Sequence, residues 1–224
     1  MNMEKKFELT DNFIINAFGV KLFQIKCTKS FKYAKEGDLG GYVEKDENLD
    51  QESDAWVSGD ARVSGDARVA GNARVAGNAR VAGNAWVSGN AEVSGNARVY
   101  GYAEVAGNAR VAGNAWVYGY AEVSGNAEVS GNARVYGYAR VYGYAEIDNN
   151  NKHCGFDCFG SANRHTHAYL TKENKVEITC GCFRGSIEEF EKRVEETHSG
   201  TIYEKQYKAI IDVIKIKFGL TDLI

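Results

Sequence analysis

From residue 55 to residue 150, apolar and polar positions obey one six-residue rule: Ala, a large polar or aromatic residue, Val, a variable residue, Gly, then Asn, Asp or Tyr. Sixteen such hexapeptides run in register until "IDNNN" breaks the pattern. In Ala97-Arg98-Val99-Tyr100-Gly101-Tyr102, strand alternation sends Ala and Val to one side and Arg and Tyr to the other. Glycine stands where the chain must bend, because it accepts backbone angles that other residues avoid. Asn or Asp after it also tolerates the left-handed region. An α-helix would lose about 1 kcal/mol at each such glycine. Each hexapeptide therefore predicts a short strand and a corner. The "YGY" of Tyr100 and Tyr102 returns at Tyr118 and Tyr120 and at Tyr136 and Tyr138, eighteen residues apart each time. Three units thus close one triangular coil, and coils stack at about 4.8 Å. No coil buries its inner face alone, so stacked neighbours supply the stability.

The flanks follow other periods. Before the array, residues 1–48 predict a small β cap. "FIINAFGVKLFQIKC" suits one or two strands, and "EGDLGGYV" reads as turn chemistry around Gly37, Gly40 and Gly41. The array segment is 49–150. Residues 151–224 predict a compact α/β module. There "HAYL" and "KVEITCGCF" read as a strand pair around "KEN". "SIEEFEKRVEETH" reads as a helix capped by Ser186 and Glu189, with Ile187, Phe190 and Val194 on one face. A second helix follows, with Tyr203, Tyr207, Ile210, Ile211 and Ile214 inward. The predicted class is mainly β, a parallel β-helix of hexapeptide repeats with a small α/β C-terminal domain.

An aliphatic residue followed four positions later by a small one, as in Val99 and Ala103, resembles the hexapeptide-repeat left-handed β-helix proteins. That resemblance implies a left-handed coil. Glycine falls one position later than in much of that family, so a right-handed, bactofilin-like helix is the alternative. The layout as a whole resembles uncharacterised phage and prophage proteins. It shares a "KGDLGGYVE"-type lead-in (here Glu36 to Glu44), the array, and a C-terminal module. That module carries Gly160-Ser161, Gly181-Cys182-Phe183 with Gly185, and His198. The resemblance implies a mobile genetic element acting in the cytoplasm of a bacterial host. A host macromolecule, such as a defence component, would be its partner.

An eighteen-residue coil sorts the outward positions into three columns. Trp56, Arg74, Glu92, Arg110, Glu128 and Glu146 form one, and Arg68, Trp86, Glu104, Glu122 and Arg140 another. Both mix signs, which suits a solvated, register-fixing surface. The remaining column holds Arg62, Arg80, Arg98, Trp116 and Arg134 and no acid. Tyr100, Tyr118 and Tyr136 lie beside it, and Tyr102, Tyr120 and Tyr138 line the next corner. Stacked arginines repel unless rings or a ligand compensate, and Arg and aromatic residues dominate binding hot spots. These eleven residues form the expected binding face for an anionic partner, an acidic protein or a nucleic acid. Aromatic ladders that only stiffen the solenoid are the structural alternative. Trp56, Trp86 and Trp116 recur at thirty residues, a spacing that places them on three different sides and reads as segmental duplication.

Composition narrows the chemistry. A net charge of −3 excludes a polybasic or strongly acidic molecule. No apolar run reaches the roughly 20 residues of a membrane span, and "MNMEKKFELT" lacks an apolar signal region. The array has no histidine, the usual general base of hexapeptide acyltransferases, and no threonine for ice binding. All four histidines and four of the five cysteines lie between His153 and His198. Cys154, Cys158, His165 and His167 could supply a zinc site, although their spacing matches no familiar motif. Cys180 and Cys182 read as one strand with opposite faces, which also counts against zinc. Cys182 paired with His198 could supply a thiol nucleophile, because helix ends and imidazolium lower a thiol pKa. A non-catalytic interaction protein is the expected function, with a ligand, zinc or enzyme site in the module and self-assembly into homo-oligomers as the alternatives.

Overall fold

The computed structural model describes residues 5–220. Residues 1–4 and 221–224, the outer ends of the first and third expected segments, lie outside the described residues. Three strands come first: β1 (Phe7–Ile15), β2 (Lys21–Cys27) and β3 (Leu39–Val43). Sixteen two-residue strands follow, from β4 (Trp56–Val57) to β19 (Glu146–Ile147). The last segment contains β20 (His153–Phe159), β21 (Arg164–Leu170), β22 (Val176–Cys180), β23 (Phe183–Gly185), α1 (Ile187–His198) and α2 (Ile202–Lys217). Among the described residues no helix is long and apolar enough to cross a membrane.

The array is a parallel, three-sided solenoid. Each strand pairs in parallel with the strand three units on, as Arg62 with Arg80 and Val63 with Val81. The three outward columns therefore align as the sequence predicts. Every first-position Ala and third-position Val is at most 2% exposed, so the interior is a filled prism of small side chains. All array glycines take positive φ at the corners. The corner asparagines add something the sequence reading did not contain: amide ladders. Asn72, Asn90, Asn108 and Asn126 bond side chain to side chain along one corner at 3.0, 3.0 and 3.1 Å. Asn96, Asn114 and Asn132 do so along another at 3.1 and 3.2 Å. The tyrosine ladder occupies the third corner. Tyr102, Tyr120 and Tyr138 stack with ring centroids 5.0 Å apart and planes 4° from parallel.

Both ends of the prism are covered, which removes exposed strand edges that would invite stacking. At the start, β1 and β2 form an antiparallel hairpin and β2 pairs with β3. β3 then runs parallel to the first full coil through Tyr42 and Arg62 and through Val43 and Val63. "LGGYV" is thus a strand rather than a turn. Gly41 is needed because a Cβ there would lie 2.7 Å from the Ala61 carbonyl oxygen. Lys6 closes the first turn from inside, its Nζ donating to the carbonyls of Asp50, Ser53 and Ala55 at 2.6, 2.6 and 2.8 Å. Burial pushes its pKa down to about 8, and the charges of Asp50 and Asp54 act in the other direction. Lys6→Met would leave three carbonyls without this donor, a loss of about 1–3 kcal/mol expected in denaturant unfolding. An unchanged midpoint would mean that water replaces the ammonium.

At the far end the module's four strands form one antiparallel sheet in chain order. The residues on either side of "KEN" pair as predicted, Ala168 with Ile178 and Leu170 with Val176. One sheet face meets the last coil. Tyr169 is fully buried in the array's own core. Its hydroxyl accepts the Tyr142 N–H at 3.2 Å and donates to Glu177 at 2.5 Å. Thr179 donates to the Arg140 carbonyl at 3.1 Å, and Arg140 Nη1 donates to the Gly181 carbonyl at 2.9 Å. The other sheet face packs on α1 and α2. The Ser186 and Glu189 capping box forms as expected, and Ile187, Phe190 and Val194 are buried with Tyr207, Ile210, Ile211 and Ile214. Tyr203 departs from expectation. It is 36% exposed, because its position on α2 turns it toward His198 rather than toward the sheet.

Candidate functional site

The arginine column lies on the sheet that β3 joins, so Tyr42 heads the row of Arg62, Arg80, Arg98, Trp116 and Arg134. Among the described residues no ion pair involves any of these four arginines, whereas Arg140 of a mixed column meets Glu122 at 3.6 Å. Rings compensate part of the charge. The guanidinium carbons of Arg98 and Arg134 sit 4.6 and 5.4 Å from the Trp116 ring, one in the coil on either side. Beside them Tyr118 and Tyr136 stack at 5.4 Å. Tyr100 continues this row one coil earlier, half-buried next to Arg98. All eleven predicted face residues thus occupy one side and one adjoining corner.

That face runs into the C-terminal module. Tyr118, Arg134 and Tyr136 share a cleft of about 500 Å³ with His153, His165 and His167. The sequence reading did not foresee this cluster. It arises from strand period: His153, Gly155 and Asp157 on β20 share a sheet face with His165, His167 and Tyr169 on β21. The "HTH" repeat at 165–167 was the available signal. Hydrogen bonding sets the tautomers. The Arg140 carbonyl can only accept, so the 3.3 Å contact places the His167 proton on Nδ1. His167 Nε2 then accepts from His153 Nδ1 at 3.0 Å. His165 Nδ1 donates to Asp157 at 2.6 Å. Nε2 of His153 and Nε2 of His165 are buried without a partner among the described residues. Burial first, and the nearby charge of Lys217 second, pushes the His153 pKa down to about 4. Burial also pushes His167 down to about 3, and its nearness to His153 adds to this. Both rings are therefore neutral at physiological pH.

The four zinc candidates do not form one set. His165 and His167 are neighbours, but Cys154 lies on the opposite sheet face against the helix-side core. Burial pushes its thiol up to about 11, away from the thiolate that binds zinc. Cys158 is exposed, at φ 63, on the irregular end of β20. Among the described residues no group of three or more His, Cys, Asp or Glu side chains is placed to hold a metal ion.

Cys182 and His198 line the same cleft. "CGCF" is a tight hairpin rather than one continuous strand: Cys180 pairs with Phe183, and Gly181 takes φ +59 between them. Cys180 and Cys182 therefore face one cleft instead of two sheet faces, and His198 and Ser161 line the same cleft. Residues from four separate stretches of the module converge there.

The YdcK beta solenoid repeat family matches residues 61–77, 73–89 and 127–143, all within the array. No curated protein matches the chain. The family match and the stacked, eighteen-residue coils agree: this chain is a repeat β-solenoid protein.

Proposed function

We propose that this protein is a non-catalytic interaction protein, phage-associated, whose rigid arginine–tyrosine face holds an anionic macromolecule of the bacterial host. A defence component in the host cytoplasm is the partner this reading favours. The observation that carries it is the column Arg62, Arg80, Arg98 and Arg134, which contains no acidic residue and makes no ion pair among the described residues. A solenoid fixes their backbones at one coil spacing, so a partner has only the side chains left to order. Self-assembly by end stacking is less well supported, since both ends of the prism are covered. The aliphatic-to-small spacing supports a left-handed coil within the same reading.

Reversing Arg62, Arg80, Arg98 and Arg134 to Glu should abolish capture of the partner from host lysate and leave the far-UV circular dichroism unchanged. Capture should also weaken with salt, as for any charge-steered contact. Undiminished capture by the reversed protein would end the proposal.

A second reading, a small-ligand or enzyme site in residues 151–224, is favoured by one observation: Ser161, Cys182 and His198 share a cleft.

A further inference from the structure

On the helix side of the module sheet lies a cleft of about 390 Å³, within the range of small-molecule sites. Its floor is aromatic. The ring centroids of Phe183 and Phe190 are 5.0 Å apart, Phe190 meets Tyr207 edge-on at 5.6 Å, and His198 stacks on Tyr207 at 5.4 Å. Its rim carries two guanidinium groups, Arg164 and Arg193, and no carboxylate of the described residues lines it. Among the described residues neither arginine makes an ion pair. Two cations brought together without an acid repel each other, and an anion between them would remove that repulsion.

Two glycines hold the walls in place. A Cβ at Gly181 would overlap the Arg164 side chain, and a Cβ at Gly160 would overlap the Tyr207 ring and hydroxyl. Burial, and the Cys180 thiol 3.9 Å away, push the Tyr207 hydroxyl up to about 12, so it remains a hydrogen-bond donor. The polar groups around the aromatic floor are thus mainly donors: two guanidinium forks, a phenol and the exposed Cys182 thiol. Guanidinium forks match phosphate and carboxylate oxygens two at a time.

We propose that this cleft binds a small organic anion, an aromatic or heteroaromatic ring carrying a phosphate or carboxylate. The ring lies on the Phe183, Tyr207 and His198 surface and the anion between Arg164 and Arg193. This rests on the second reading above, a ligand site in the module, and is independent of the solenoid face.

The test is calorimetric titration of the full chain with phenyl phosphate, benzoate and adenosine 5′-monophosphate, with inorganic phosphate and phenol as controls. Saturable binding of at least one ring-bearing anion is expected, roughly tenfold tighter than either control, because ring and charge contribute separately. Arg164→Gln and Arg193→Gln should each weaken it about tenfold, the loss of one charge-assisted contact. The bound probe should also slow alkylation of Cys182 by iodoacetamide, read by peptide mass spectrometry, and leave Cys158 unaffected. Absence of saturable binding by all three ring-bearing anions would overturn the proposal. So would undiminished binding by the double Gln variant, or unchanged Cys182 alkylation at saturation. The protein with Arg62, Arg80, Arg98 and Arg134 reversed should bind these probes as the parent does. Failure of the macromolecular reading is thereby distinguishable from failure of this one.

Discussion

Lowering the pH from about 7.5 to about 4.5 is expected to destabilise the protein by roughly 3–5 kcal/mol through His153 and His167. Both titrate near 6.5 when exposed, and burial holds them at about 4 and about 3 in the fold. Below 6.5 the unfolded chain takes up protons that the folded chain refuses. The stability is therefore complete above 6.5 and falls as the pH descends toward 4 and 3. The structure shows why protonation is resisted. His167 Nε2 is already an acceptor for His153, and two charged rings 3.0 Å apart would face each other in a site without counter-charge on either orphan nitrogen. Because these rings lie where the module meets the last coil, acid should loosen that junction first. Thermal melting at the two pH values checks this. His167→Gln, which keeps a polar side chain and removes one titration, should flatten the pH dependence by about half. Equal melting temperatures at both pH values for the parent protein would sink the account.

Gly89→Val should lower stability by about 3 kcal/mol or more. Two separate costs coincide at this corner. Gly89 has φ +67, a region that β-branched residues almost never occupy. A Cβ there would also stand 2.9 Å from both the N and the O of Gly107 in the next coil. Neither partner atom can swing aside, because the corner backbones are hydrogen-bonded from coil to coil, Asn72 N to Gly89 O at 2.6 Å and Asn90 N to Gly107 O at 2.7 Å. In a solenoid each coil touches only its neighbours, so the damage should centre on two coils and split the array into halves. Amide hydrogen exchange should show protection lost around residues 89–107 and retained near both ends. A melting curve superimposable on the parent's would mean that the coil spacing relaxes more easily than the geometry implies.

The array was the most legible part of the chain for a physical reason. Its strand pairings join residues eighteen apart, and the sequence repeats the same environment sixteen times. One residue's alternation therefore predicts the placement of every equivalent. The two helices were legible for a related reason, since a capping box and a 3.6-residue apolar stripe are local signals. Tyr203 marks the limit of that logic. It fits the apolar face by spacing, yet it stays partly exposed with its ring against His198. The "CGCF" hairpin marks another. Alternation predicts opposite faces for Cys180 and Cys182, but Gly181 at positive φ reverses the chain between them.

The candidate sites divide along the same line. Membership of the arginine–tyrosine face follows from a period of eighteen, which the sequence by itself contains. The sequence equally determined the prism interior of Ala and Val, the glycine corners and the capped helices, because each is specified by residues close along the chain or by exact repetition. What only the tertiary structure decided is everything that depends on how the module docks. It brought Arg134 beside His153 and His167, placed Cys154 behind the sheet, and gathered Ser161, Arg164, Cys182 and His198 around one aromatic floor. No spacing rule encodes these meetings. They result from burying Tyr169 in the last coil on one sheet face and two helices on the other, and that packing is a property of the whole folded chain.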